Sequence, residues 1–133
     1  MNLLPSVPRH LLAFSRFSPR LLLHSMSSDS SSFVLVHTTA PSQEVSNQIS
    51  EAVLNARLAA CVSSHEVKSK YWWQGKLEEA TEVQLVLKTR AALVPDLEKT
   101  IKGIHPYEVP EFLVTPVTSG SQAYLQWLQK ETS

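Results

Sequence analysis

Imidazole, thiol and thioether groups are the side chains of this sequence that could bind a transition metal, and the first two could also support nucleophilic catalysis. The candidates are His37, His65, His105, Cys61 and Met26. Imidazole nitrogen and thiolate or thioether sulfur are ligands that transition metals favour, so each of these residues is a candidate metal ligand. Cys61 with His105 is also the cysteine–histidine pair that covalent catalysis would require.

Each candidate also fits an ordinary structural role. Cys61 follows an apolar Leu-Ala-Ala run at the start of a predicted strand, where cysteine is typically a small buried hydrophobe. His105 precedes a proline at the end of a predicted helix, where an imidazole can cap exposed carbonyl groups. His37 is predicted to lie in a strand and to face the helices or a neighbouring subunit. His65 and Glu66 are predicted to be an exposed loop pair.

Acidic and aromatic side chains offer a second kind of site. Glu108 and Glu111 are clustered, but they lie in an extended, proline-containing segment that need not bring their carboxylates together. A chain with three glycines contains no glycine-rich phosphate loop, and we therefore predict no catalytic centre. A cleft or a subunit interface is the alternative, because Tyr and Trp are enriched at interfaces. The residues best suited to line it are Trp73, Lys88, Tyr107, Glu108 and Glu111.

Length and charge limit the class of protein. The chain has 133 residues, of which 43% are hydrophobic, and this predicts one folded domain with its own core. A single cysteine excludes an intramolecular disulfide framework. No apolar run reaches the 18 residues that a transmembrane helix requires. Residues 29–133 carry nine basic and twelve acidic side chains, so nucleic acid is not an expected partner.

The N-terminal segment differs from the rest of the chain. Residues 1–28 contain three arginines, several serines and no acid, a composition typical of organelle transit peptides. The apolar stretches there are too short for a secretory signal. We therefore expect a mitochondrial or a cytoplasmic location, the latter also if synthesis starts at Met26. Residues 29–32 are predicted to be a polar linker, and residues 33–133 form the domain.

Hydrophobic periodicity predicts the order βαββαβ followed by a terminal helix. The predicted strands begin at Phe33, Leu58, Leu77 and Phe112, and Ser42 is the expected N-cap of the first helix. This order is that of the α+β, ferredoxin-like split βαβ sandwich, with two helices on one face of an antiparallel sheet.

The face of such a sheet that is turned away from the helices must be covered by other protein surface where it carries large apolar side chains. Trp72 and Trp73 alternate across a strand, so at least one of them points away from the core of its own domain. Assembly of several copies is the economical way to cover it.

Six segments of the chain match a known family in order and spacing. They are Thr38–Pro41, Arg57–Val62, Tyr71–Glu79, Glu82-Val83 with Leu87–Thr89, His105–Glu111 and Tyr124–Leu128. The set resembles the CutA family of divalent-cation tolerance proteins over about residues 33–131. The resemblance implies a homotrimer, similar in architecture to the PII signalling proteins. It also implies copper binding or metal tolerance, with no established catalysis. No cofactor is required, and a copper ion is the bound group that the resemblance implies.

Two further roles follow from the resemblance. Animal members are linked to the anchoring of acetylcholinesterase at membranes, which implies a scaffolding or maturation role. PII-like trimers bind small molecules in clefts between subunits, which makes a small-molecule sensor the alternative function.

The sequence departs from the family at the metal ligands. Bacterial members credited with copper sites have a cysteine where this chain has Thr38, and adjacent histidines where it has Ile104 and His105. One of three implied ligands is thus retained, and His37 and Cys61 are the remaining candidates.

The segment 63–70 also departs from the family, because it is more polar and about one residue shorter than usual. A one-residue shift would move every later side chain of the hairpin to the opposite face unless a bulge absorbs it.

Overall fold

The computed structural model describes residues 32–133, so the predicted leader and most of the linker lie outside the described residues. The elements are β1 (Phe33–Ala40), α1 (Gln43–Asn55), β2 (Cys61–Trp73), β3 (Lys76–Arg90), α2 (Val94–Ile104), β4 (Leu113–Pro116) and α3 (Gln122–Glu131). A 3-10 turn, Ala91–Leu93, leads into α2. This order confirms the predicted βαββαβ arrangement with a terminal helix.

The four strands form one antiparallel sheet in the order β2-β3-β1-β4. β1 and β3 pair without interruption from Phe33 opposite Arg90 to Ala40 opposite Val83. β4 pairs with the other side of β1. The two outer strands of the described sheet are therefore β2, with 13 residues, and β4, with four.

The core lies between the sheet and helices α1 and α2. Alternate residues of β1 and β3 point toward the helices, as period-2 patterning requires. The side chains at its centre have no exposed surface; they are Val36, Leu85, Leu87, Ile49, Val53, Leu97 and Ile101. Their close packing fixes which face of β3 points away from the helices and so positions the polar residues of that other face.

Both ends of α1 have defined caps. The Ser42 hydroxyl accepts a hydrogen bond from the Val45 amide (3.2 Å), which confirms the predicted N-cap. At the other end Arg57 adopts a left-handed conformation (φ 58°), and the Leu58 amide donates to the Val53 carbonyl (2.9 Å). This is a Schellman cap with arginine in the position usually held by glycine. Because Leu58 closes the cap, β2 begins at Cys61, three residues later than predicted.

The β2–β3 hairpin is long and regular. Its pairing runs unbroken from Cys61 opposite Lys88 to Trp73 opposite Lys76, so no bulge interrupts the altered segment. The predicted exposed loop at His65 is wrong in its structure, since His65 is an exposed strand residue paired with Gln84. Continuous pairing with β3 outweighs the polarity of that segment.

The hairpin tip separates the two tryptophans. Trp73 lies on the sheet face turned away from α1 and α2, which confirms that one of them points away from the core. Trp72 lies on the helix side of the sheet, but at the hairpin tip it is 68% exposed. The two-residue turn has positive φ at both Gln74 (49°) and Gly75 (79°), as a type I′ turn requires.

Two glycine substitutions should have effects of opposite sign. Gly75→Ala forces a Cβ into the left-handed region and is expected to lower the free energy of unfolding by roughly 1 kcal/mol. Gly103→Ala lies in α2, where the added Cβ meets nothing within 4 Å, and is expected to raise it by about 0.5–1 kcal/mol. Urea denaturation of the two variants checks both signs. A stabilising Gly75→Ala would contradict the turn assignment.

The terminal helix α3 is fixed at two points. The Arg90 guanidinium donates to the Thr132 hydroxyl (2.8 Å), and Arg57 pairs with Glu131 (2.7 Å). Leu128 is buried beneath the helix. No helix within residues 32–133 is long and apolar enough to span a membrane.

Candidate functional site

The sheet face turned away from α1 and α2, here called the open face, carries most of the predicted site residues. By strand alternation and register it presents His37, Thr39, Cys61, Tyr71, Trp73, Glu82, Gln84 and Lys88. The segment after α2 passes the end of β1 and adds His105, Tyr107 and Glu111 to this face, as the hydrogen bonds below show.

His105 caps the end of α2 and is 8% exposed. Its Nε2 lies 2.7 Å from the Thr39 carbonyl oxygen, and its Nδ1 accepts a hydrogen bond from the Tyr107 amide (3.1 Å). These partners define a neutral ring with the proton on Nε2. Burial lowers the pKa of His105, although the Thr39 carbonyl and the Glu82 carboxylate oppose that shift. Both ring nitrogens are therefore occupied.

Tyr107 covers a buried carboxylate. Its hydroxyl donates to Glu82 Oε2 (3.2 Å), and Glu82 is 3% exposed. Burial and the charge of Glu82 raise the pKa of Tyr107, so the phenol stays protonated and remains a donor. Tyr71 lies on the same face, and burial followed by the charges of Glu82 and Glu78 raises its pKa as well.

Glu111 reaches the neighbouring position on β3. Its Oε2 accepts a long hydrogen bond from Gln84 Nε2 (3.4 Å). Burial raises the pKa of Glu111; the Gln84 hydrogen bond opposes this, and the charge of Glu82 adds to it. Glu108 and Glu111 also line a cavity of about 450 Å³, together with Glu98, Lys102, Val109, Pro110, Phe112 and Leu113. The predicted acid pair thus shares one cavity, although Pro110 lies between its members.

The other predicted metal ligands lie elsewhere on the open face. His37 Nε2 is 3.1 Å from the Thr115 hydroxyl. Cys61 is half-buried rather than in the core, and its sulfur accepts a hydrogen bond from Lys88 Nζ (3.6 Å). Within residues 32–133 no three His, Cys, Asp or Glu side chains converge as metal ligands. The residues of one chain therefore do not fit a copper site, and the ligand roles of His105, His37 and Cys61 stay predictions.

The predicted cleft residues do not all meet within one chain. Tyr107 and Glu111 come together through Glu82 and Gln84. Trp73 pairs with Lys76 at the hairpin tip, whereas Lys88 pairs with Cys61 at the opposite end of β3. Twelve positions of a strand correspond to about 40 Å, so Trp73 and Lys88 cannot line one cleft of a single chain.

Sequence reasoning missed Glu82 and Gln84 as site residues. Both alternate with the apolar residues of β3, which is the usual pattern of a solvated strand face. No local signal shows that the segment after α2 returns over them.

Comparison with known proteins identifies the family. The chain matches the family model "CutA1 divalent ion tolerance protein" over residues 34–131. It is 38% identical over 132 residues to Protein CutA of Homo sapiens, covering 95% of this chain and 74% of that protein. It is 40% identical over 99 residues to the divalent-cation tolerance protein CutA of Pyrococcus horikoshii, covering 74% of this chain and 97% of that protein.

The fold agrees with solved structures. The crystal structure of CutA1 from Oryza sativa superposes with a TM-score of 0.75 at 34% identity, covering 77% of this chain and 94% of that chain. Divalent cation tolerance protein CutA1 from Thermus thermophilus gives 0.74 at 39% identity, covering 76% and 99%. The fold, the matched segments and the sequence identity agree, and the chain belongs to the CutA1 divalent ion tolerance protein family.

Proposed function

We propose that this chain acts in tolerance to divalent ions as a non-catalytic homotrimer. The observation that carries the proposal is the surface that a single chain leaves uncovered. Trp72 is 68%, Leu77 62% and Leu113 58% exposed, and they lie on the hairpin tip and on β4. Large exposed apolar side chains at a hairpin tip and on an outer strand mark an interaction surface.

The two outer strands favour assembly of identical chains. β2 and β4 each have one strand side without a partner in residues 32–133. Contact between the β2 region of one chain and the β4 region of the next joins two different surfaces, and such a heterologous contact forms a closed ring when the rotation allows it. Closure at three copies is the assembly that the resemblance implies.

Direct copper coordination by His105 is not part of this proposal. A copper ion on Nδ1 would have to displace the Tyr107 amide, and one on Nε2 would have to displace the Thr39 carbonyl. The family implies a cysteine ligand at the position of Thr38. Thr38 is buried and has no sulfur atom, so this position supplies no second ligand to the His105 ring. The tolerance role therefore rests on the assembled protein, through ion contacts between chains or through another bound molecule.

Native mass spectrometry of the full chain tests the proposal, with and without one equivalent of copper(II). We expect the mass of a trimer, and equal copper uptake by the wild type and by His105→Ala. A monomer at micromolar concentration would refute the homotrimer. Stoichiometric copper that His105→Ala abolishes would show that the ring nitrogens are released for metal, and would refute the role assigned to His105.

A small-molecule sensor is the second candidate, and one observation favours it. The cavity of about 450 Å³ beside Glu108 and Glu111 has the size of a ligand pocket and combines apolar walls with charged groups. Metal-free stabilisation of the full chain by a small molecule, lost in Glu108→Ala, would support this function.

A further inference from the structure

Lys88 is a cation without an acidic partner. Its side chain is half-buried on the open face, where Nζ donates to the Ser63 hydroxyl (2.7 Å) and to the Cys61 sulfur (3.6 Å). The ion pairs of residues 32–133 are Arg57–Glu131 and Lys102–Glu98, and neither includes Lys88. Two neutral partners hold the ammonium group in place without neutralising its charge.

Glu82 and Glu111 are carboxylates without a cationic partner. Glu82 is 3% exposed and accepts a hydrogen bond from the neutral Tyr107 hydroxyl, while Glu111 accepts one from the neutral amide of Gln84. Neither forms an ion pair within residues 32–133. Thr39, on the same face and 6% exposed, has a buried hydroxyl with no hydrogen-bond partner. Buried charges of this kind are costly unless an opposite charge compensates them.

The two groups cannot neutralise each other within one chain. Lys88 and Glu82 lie on the same face of β3 but are separated by six positions, or about 20 Å. Glu111 contacts Gln84, which is four positions, or about 13 Å, from Lys88. A face with an unpaired cation at one end and unpaired carboxylates at the other is complementary to a second copy of itself.

We propose that Lys88 of one chain forms an ion pair with the Glu82–Glu111 carboxylates of the next chain in the homotrimer. The inference rests on the proposed homotrimer and adds the contact that joins its chains. In a cyclic assembly each chain gives its Lys88 to one neighbour and accepts the lysine of the other, so every Lys88 is paired and every Glu82–Glu111 site receives one cation. The partner's ammonium group also reaches the hydroxyl of Thr39. Glu111, the more accessible carboxylate, is the primary acceptor.

Charge reversal tests the ion pair. We expect Lys88→Glu and Glu111→Lys each to raise the dissociation constant of the full-chain trimer at least about tenfold, because each places like charges together across the interface. The double variant K88E/E111K restores the attraction with the signs exchanged, and its dissociation constant should return to within about threefold of wild type. Sedimentation equilibrium over a dilution series measures all four proteins.

Lys99→Glu is the matched control. Lys99 is an exposed lysine of α2, which packs on the side of the sheet opposite to Lys88. Its reversal should leave the dissociation constant within about threefold of wild type. A trimer in which Lys88→Glu acts no more strongly than Lys99→Glu, or in which the double variant is as weak as the two single effects combined, overturns the ion pair and leaves the homotrimer standing. A monomeric wild type overturns both. Far-UV circular dichroism establishes that each variant is folded.

Discussion

Tyr107→Phe is expected to lower the free energy of unfolding by roughly 2–3 kcal/mol. The substitution removes one oxygen atom and leaves the ring in place, so packing is unchanged. Glu82, with 3% of its surface exposed, then loses the hydroxyl that donates to it at 3.2 Å. Leaving a buried carboxylate without its donor lowers the free energy of unfolding by more than the net contribution of one hydrogen bond. Urea unfolding at pH 7 and at fixed protein concentration measures the loss.

A double-mutant cycle isolates the cause of that loss. Replacing Glu82 by Met in the Tyr107→Phe background removes the carboxylate that has lost its hydroxyl donor, so the double variant should be more stable than Tyr107→Phe alone. A loss below about 0.5 kcal/mol for Tyr107→Phe would contradict the contact, as would additive effects of the two changes.

Acidification below about pH 6.5 is expected to destabilise the fold through His105. Burial lowers the pKa of this ring in the native protein, whereas the unfolded chain titrates near its ordinary value. Between those two pKa values the unfolded state binds more protons than the native state. The stability contribution of His105 is therefore fully present above the pKa of the unfolded chain, and it is lost as the pH falls to the pKa of the native protein. The slope for one proton reaches at most about 1.4 kcal/mol per pH unit.

The molecular reason is a conflict between two donors. A proton on Nδ1 would face the Tyr107 amide, which already donates to that atom. His105→Gln keeps a donor for the Thr39 carbonyl but does not titrate, and it should remove the His105 part of the acid slope. Within one chain the raised pKa of Glu111 acts in the opposite direction, because its protonation favours the native state as the pH falls, and an ion pair with Lys88 of the next chain counteracts that contribution. Wild type and variant share that contribution, so their difference isolates His105. Equal slopes in urea unfolding between pH 7 and pH 5 would contradict the assignment.

The fold was predictable because local patterns and packing agree. Leu85 and Leu87 alternate with Gln84 and Lys88, which identifies both the strand and its buried face. The Ser42 cap was predictable for the same reason, since one side chain and one nearby amide decide it. The start of β2 was not predictable, because the left-handed position of the α1 C-cap holds Arg57 and not glycine, the residue that usually indicates such a cap in a sequence.

The candidate site was predictable in its residue types but not in its geometry. Tyr107 and Glu111 were identified from their chemistry, yet their partners lie more than twenty positions away on β3. His105 illustrates the same limit, because the carbonyl that occupies its Nε2 belongs to Thr39. Spacing along the chain carries no information about such distant contacts.

The unbroken pairing of β2 with β3 restricts how this hairpin can change in length between relatives. Loss of one residue from each strand would preserve the pairing but would move Tyr71 and Trp73 to the helix side and bring Trp72 and Leu77 onto the open face. Loss of two residues from each strand keeps every side chain on its face. Insertions and deletions that preserve the chemistry of both surfaces must therefore change the hairpin by four residues at a time, two in each strand. Each such change alters the length of the hairpin by roughly 7 Å.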